Sequence, residues 1–445
     1  MNLPGPDEIF RHPLANGLTI LAFRRPDLPF ACLSLEVQAG SRLDAPETAG
    51  LAALTAAALT RGTRRRKAEE LFAETEGLGM DLSSGSGADV ASVDMRTLLE
   101  DLPRALEIMA EVALEPAFLP EEVEKIQGQT IARLEEAEDD ADYVAERELR
   151  RQVFPPGHPY RLPTSGYKDT VARLAAGDLA AFHRRHYTPQ GAALAVVGDI
   201  DVDRLVPAIE AAFGHWQVPE ADAPGVAETS PGEAARPQEP IRITLPGKSQ
   251  SEIAVGGPGP ARTDPQYEAL SMANLILGRL GLGGRIGANV RERLGLAYSA
   301  YSLLVGYEKA GIWMVRAGVG PGAVDQALAA IMAELEAFSR SPVTQQELED
   351  AKGYLLGSLP LRLERAAGMV NLLLAMERYQ LGFDYLQRYP DLIRGLTAED
   401  LLAVVQKHIR PDKSVTVVAG PDATEGADAG ATVGAPAGTP AGTAG

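Results

Sequence analysis

At 445 residues the chain exceeds what one hydrophobic core usually supports, so two or more domains are expected. Its 45% hydrophobic and 23% charged residues exclude a disordered chain. A formal charge of -19 argues against nucleic acid and anionic membrane as partners, since both are held by Lys and Arg, and the single cysteine, Cys32, rules out an internal disulfide.

Residues 1–7 have neither the basic start nor the apolar run of a secretory signal, and no apolar stretch is long enough to span a bilayer, so a cytoplasmic protein is expected. Leu18–Phe23, following the Asn16-Gly17 turn, and Ala31–Val37 read as strands. A helix of small apolar residues over Gly50–Thr63 comes next, then a further alternating strand over Ala88–Met95. Helical patterns dominate from there to an apolar strand at residues 193–197, and the acidic run 135–140 reads as a solvated helix face. Strands followed by a helical block predict an α+β domain, a mostly antiparallel sheet with helices packed on one face.

The chain then repeats itself. Leu174–Asp199 and Leu396–Pro421 align without a gap, pairing Asp178 with Asp400, Leu179 with Leu401, His186 with His408, Pro189 with Pro411, Val196 with Val418 and Gly198 with Gly420. Each copy reads as a capped helix, a proline-marked turn and a strand ending at glycine. A weaker echo links Leu119–Lys125 with Val343–Glu349, each opening a long helix. Two homologous domains are therefore expected, at 1–217 and 241–422, joined by a Pro/Ala/Gly-rich linker at 218–240 and followed by a disordered tail at 423–445.

Six motifs in order carry a family likeness: Leu14-Ala15-Asn16-Gly17-Leu18, Gly40-Ser41-Arg42, the frame Gly50–Thr63, Gly157-His158-Pro159-Tyr160, His186-Tyr187-Thr188-Pro189 with Val197-Gly198-Asp199, and Arg291–Tyr298. Together they resemble the pitrilysin/insulinase family of zinc peptidases, within its mitochondrial-processing-peptidase-like group. With the repeat, the likeness covers all but the tail.

In that family the helix reads G-L-A-H-x-x-E-H before a Gly-Thr pair. Its two histidines, four apart, hold zinc, and the glutamate activates water. Here Gly50-Leu51-Ala52 and Gly62-Thr63 keep the flanks, but Ala53 and Ala57 stand for the histidines and Ala56 for the base. The resemblance puts the third ligand shortly before an acidic segment like Asp139-Asp140-Ala141-Asp142. Counting back lands near Arg133, with Glu135 and Glu136 the closest acids and Glu138 a weaker choice. With three methyl groups on the helix, one carboxylate alone would not retain zinc and an arginine would repel it, so no cofactor is expected in this chain. The histidines offer no substitute: His183 and His186 are three apart, but the repeat sets His186 opposite His408, which points to a structural role, while His12 and His158 sit beside prolines and His215 beside Trp216.

Arg291 and Tyr298, with Gly295-Leu296-Ala297 between them, match a pair that in the family faces the zinc site and binds substrate near the scissile bond. Arginine and tyrosine donors suit that task, since both can stabilise an oxyanion. Arg293 and Tyr301 lie nearby but out of register. The spacing alone would describe a surface arginine and a core aromatic. The cluster Gly278–Arg285 lacks the Lys-Ser/Thr ending of a phosphate loop and is expected to be a turn lining the cavity. The resemblance thus implies the zinc-less subunit of a heterodimeric metallopeptidase, inactive alone. Its partner would be a homologous subunit bearing H-x-x-E-H and zinc, and its substrate a peptide added as a strand. The alternative is a catalytically inert scaffold or peptide-binding protein of the same fold.

Overall fold

The structure, a computed structural model, describes residues 3–217 and 239–422, so the expected tail and all but the last two residues of the expected linker lie outside the described residues. The first half runs β1 (Ile9–Pro13), β2 (Thr19–Arg24), β3 (Phe30–Val37), α1 (Leu51–Ala58), α2 (Ala68–Gly77), β4 (Asp81–Ser86), β5 (Ala91–Leu98), α3 (Leu102–Leu114), α4 (Pro120–Glu138), α5 (Ala141–Val153), α6 (Lys168–Val171), α7 (Ala176–His186), β6 (Ala193–Gly198) and α8 (Val202–Phe213). The second runs β7 (Ile241–Thr244), β8 (Ser251–Gly259), α9 (Tyr267–Gly278), α10 (Gly284–Ile286), a π-helical turn (Gly287–Arg293), β9 (Ala297–Gly306), β10 (Gly311–Val319), α11 (Val324–Arg340), α12 (Gln345–Glu364), α13 (Ala366–Arg378), α14 (Tyr385–Gly395), α15 (Ala398–His408) and β11 (Val415–Gly420).

Local chemistry explains why the echoes recur. Asp178 accepts the Ala175 N–H at 2.8 Å and Asp400 accepts the Thr397 N–H at 2.9 Å, so the paired aspartates cap α7 and α15 in the same way. Between β1 and β2, Gly17 takes a left-handed φ of 100° and the Asn16 side chain accepts the Leu18 N–H at 3.2 Å, closing the expected turn.

The six-stranded sheet β1-β2-β6-β3-β5-β4 and the five-stranded sheet β7-β11-β8-β10-β9 have matching orders apart from β1, which has no counterpart in the second. Each is mostly antiparallel with one parallel pair, β2 with β6 and β7 with β11. The fold is α+β, as expected. The strand expected over Ala88–Met95 is β5 and starts at Ala91, because residues 87–90 close a turn, with Gly87 N–H donating to Val90 O at 2.8 Å. Strands β1 and β4 were not foreseen: β4 (DLSSGS) is an edge strand with a single large apolar residue.

Each sheet packs its own half's helices on one face. In the first half, Leu33, Leu35, Val93 and Met95 share one core cluster with residues of α1, α3 and α7. The other face takes a helix from the opposite half. Val144, Ala145, Leu149 and Val153 of α5 pack on Ala254, Ile312, Met314, Val415 and Val417 of the second sheet. Reciprocally, α13 packs on β6 and β3, placing Met369, Val370 and Leu373 in one cluster with Leu21, Ala195 and Val197. Ion pairs anchor both crossings. Arg378 of α13 donates to Glu36 of β3 at 3.0 Å, and buried Arg316 of β10 pairs with Asp142 and Glu146 of α5.

A second tie is a hydrogen-bonded node between the halves. Asp89, 4% exposed, accepts the Tyr160 hydroxyl at 2.5 Å and the Glu308 N–H at 3.0 Å, and Arg42 approaches it at 3.8 Å. Glu308 lies in the β9–β10 turn of the second half, where Tyr307 stacks on Tyr160 with centroids 4.4 Å apart. Burial, then the bond to Asp89 and its charge, push the Tyr160 phenol far above its ordinary pKa, so it stays a donor.

Two stability outcomes follow from these contacts. Asp89→Ala leaves the Glu308 N–H without its acceptor, takes the acceptor from the Tyr160 hydroxyl and leaves Arg42 only Gln38 and Glu308, and is expected to cost about 3 kcal/mol, against about 1–2 for Tyr160→Phe. Urea unfolding measures both, and a small loss for Asp89→Ala would show that the node does not tie the halves. Under α5, burial and then the negative charge of Asp142 raise Glu252 to about 7. A carboxyl raised in the fold keeps its proton after the unfolded chain has lost it, so stability should fall as pH rises from about 4.5 to 7. Glu252→Gln should flatten that slope and exceed the parent in stability at pH 8, which melting curves across pH will read.

Candidate functional site

Helix α1 is seated by its backbone. Gly50 begins it with a left-handed φ of 96°, and a Cβ there would meet Ser165 O at 2.8 Å, so the 163–166 segment packs directly on the helix start. The Asp44 carboxylate accepts the N–H groups of Gly50 at 2.9 Å and Ala52 at 3.0 Å, and Thr170 donates to Ala49 O at 2.6 Å. Ala53 and Ala57 are partly exposed one turn apart, whereas Ala56 is fully buried and its carbonyl accepts the Ser84 hydroxyl of β4 at 2.7 Å. The helix thus presents methyl groups at all three positions.

Helix α4 packs against α1 and carries Arg133, which is exposed and donates to Gln129 O at 3.3 Å within its own helix. Glu135 pairs with Lys168, and Glu136 is exposed. Among the described residues no group of three His, Cys, Asp or Glu is placed to hold a metal ion. The donor set therefore does not fit zinc.

His183, His186 and His158 are packing groups. His183 Nε2 lies 2.8 Å from Ala113 O, with its ring between Phe118 and Tyr187, and burial pulls its pKa down to about 4. His186 packs on Phe182 and is lowered to about 4 by burial and then by Arg185. His158 Nδ1 accepts the Tyr160 N–H at 3.2 Å while its ring stacks on Phe154. Neutral rings in these places stabilise the core and are not poised to titrate near pH 7.

Ala53 lines a cleft of about 420 Å³ between α1, the end of β4, α5 and the 163–165 segment, with Tyr307 of the second half on its wall. Arg147 and Arg150, three apart on α5, line it as well, each with its guanidinium 5.6 Å from an aromatic ring centroid, Tyr143 and Tyr307 respectively. Neither arginine was singled out in the sequence. The available signal was a basic pair at helical spacing in an acidic chain, directly after the acidic run.

Arg291 and Tyr298 sit on the second half. Arg291 lies in the π-helical turn, partly exposed, with Nε donating to Glu292 at 2.8 Å. Gly295, with a left-handed φ of 63°, turns the chain into β9. There Ala297 pairs with Val319 and Ser299 with Gly318, leaving Tyr298 as the extra residue of a bulge. A bulge on an edge strand re-aims its side chain, and Tyr298 is 84% exposed. Tyr301 is partly buried near Arg316, and Arg293 donates to Asn289. The structure does not bring Arg291 or Tyr298 into the lining of the Ala53 cleft. The glycine cluster turns the chain from α9 into α10 without lining the Ala53 cleft: Gly281, Gly283 and Gly284 all have positive φ, and a Cβ on Gly284 would meet Ile276 O at 2.4 Å.

Two models of one peptidase family match the chain, one described as insulinase (peptidase family M16) over residues 19–160 and one as the peptidase M16 inactive domain over 173–355. An uncharacterised zinc protease of Streptomyces coelicolor is 28% identical over 425 residues, covering 94% of this chain and 90% of the relative. One from Bacillus subtilis is 25% identical over 358 residues, covering 80% and 85%. The crystal structure of a peptidase M16 inactive domain from Pseudomonas fluorescens superposes with a TM-score of 0.85 at 29% identity, covering 93% of this chain and 98% of that one. A Helicobacter pylori protease superposes at 0.84 with 19% identity over 94% and 100%, a likeness of fold alone. The purified chain should carry far less than one zinc per molecule by atomic absorption after dialysis; an equivalent that survives dialysis would mean that donors other than α1 hold it.

Proposed function

The chain belongs to the insulinase (M16) family of peptidases, and from that membership we propose that it is the zinc-less subunit of a two-chain metalloendopeptidase. A homologous partner bearing H-x-x-E-H would hold the zinc, and this chain would contribute Arg291 and Tyr298 to the bound peptide. The observation that carries the reading is the contrast between its two halves. The metal helix has been emptied to Ala53, Ala56 and Ala57, while Tyr298 is kept 84% exposed on a bulged edge strand. A phenol so placed contributes little to its own fold and is available to a second molecule.

In trans, the Tyr298 hydroxyl and Arg291 guanidinium would donate to the carbonyl oxygen of the scissile peptide as it gains charge. Zinc in the partner would polarise the same bond and activate water. The pairing is a proposal, as is a cytoplasmic location; among the described residues no helix is long and apolar enough to cross a membrane.

One observation favours the second reading, an inert scaffold or peptide-binding protein. Arg291 already donates to Glu292 and would have to release it to reach a substrate. Mixing decides between the two. The chain alone should not cleave an unstructured peptide, and activity should appear on adding the H-x-x-E-H homologue from the same genome. Arg291→Ala or Tyr298→Phe should then lower kcat on the order of a hundredfold. Full activity with both variants would refute the assigned roles, and no activity in any mixture would favour the scaffold.

A further inference from the structure

We propose that the cleft beside Ala53 is a binding site for a peptide carboxylate, built where the metal helix has lost its donors. This goes beyond the pairing proposed above and does not depend on a partner, because every group it needs is in this chain. The cleft holds two guanidiniums and one carboxylate, Arg147, Arg150 and Glu146. Glu146 is already engaged, by Arg150 at 3.3 Å and by buried Arg316, so its charge is neutralised from beneath. Arg147 is paired with Glu138 and Arg316 also with Asp142, so charge around the cleft is balanced and what the lining offers a ligand is its unspent N–H donors.

Both arginines retain donors. Arg147 spends one nitrogen on Glu138, and Arg150 spends its two terminal nitrogens on Tyr307 and Glu146, so N–H groups on each fork have no partner among the described residues. Aromatic rings beside both forks hold them in place, which reduces the rotamer entropy lost on binding. A third donor is independent of the arginines. The Tyr143 hydroxyl is buried at the same wall and completes no hydrogen bond of normal geometry, although Ser165 stands beside it. Burial raises its pKa, so it keeps its proton and can only gain by donating.

The floor is the methyl group of Ala53, so the space an imidazole would fill is open to ligand atoms. A carboxylate accepts from two planar forks and a hydroxyl at once, an arrangement that a neutral amide cannot match. The ends of peptide chains and Asp or Glu side chains both supply that group. Ser86, the last residue of β4, lies in the lining, so the edge of this sheet leads into the cleft and could guide an extended peptide to it.

Calorimetric titration of the full chain with the peptide acetyl-Gly-Ala-Tyr-Ala-Ala tests the site. The free acid should bind at least tenfold more tightly than its terminal amide. An amidated version with glutamate as the central residue separates the sources: binding equal to the free acid assigns side-chain carboxylates, and binding as weak as the plain amide assigns chain ends. Ala53→Phe fills the cleft, and Arg147→Gln removes one fork. Each should weaken the free acid tenfold or more, while Arg133→Gln, outside the lining, leaves it unchanged. Should Ala53→Phe fail to fold, Arg147→Gln decides alone. Equal binding of acid and amide, no heat at millimolar peptide, or parental affinity in Arg147→Gln would overturn the proposal. Since no partner subunit is present, such a failure would leave the pairing to be judged by the mixing experiment.

Discussion

Every residue of β6 and of β10 is buried, and that places a constraint on the whole molecule. A strand buried on both sides needs cover on two faces, and each half lays its own helices on only one. The second face is covered by exchange, with α5 crossing to the second sheet and α13 to the first. Neither half can bury its sheet without the other. The two sheets are therefore one cooperative structure, although each repeats the same order of elements.

The exchange also determines where polar groups can go. Arg316 and Glu36 lie on sheet faces that would be solvent-facing in an isolated domain. Once a helix covers them they need counter-charges, which Asp142, Glu146 and Arg378 supply from the crossing helices. Asp89 plays the same part at the edge, where it holds the β9–β10 turn through a backbone N–H. The Gly40-Ser41-Arg42 and Gly157-His158-Pro159-Tyr160 motifs converge on that node. Their role is thus architectural: they fasten the halves beside the cleft, and Tyr307 belongs to both node and cleft.

At the three positions where the family resemblance would put metal donors, α1 carries methyl groups, and Ala53 lines an open cleft. The seat of α1 rests on its backbone: Asp44, Gly50 and the 163–166 segment hold the helix start. On the second half, Tyr298 remains exposed through a bulge that a regular strand would have eliminated.

The sequence by itself determined the α+β class, the alanines along α1 and the repeat, because each is written in local chemistry. Alanines cannot ligate a metal wherever they fold, and aspartates at matched positions cap α7 and α15 from three residues away. The Asn16-Gly17 turn and strands β2, β3 and β6 were legible for the same reason. Edge strand β4 was not, since a strand with one open edge and a polar sequence leaves no periodic signal. Tertiary structure alone decided that α5 and α13 change sides, that Asp89 meets Glu308, and that Arg147 and Arg150 stand beside Ala53. These contacts join residues tens to hundreds of positions apart, and only the exchange of helices between two-faced sheets brings them together.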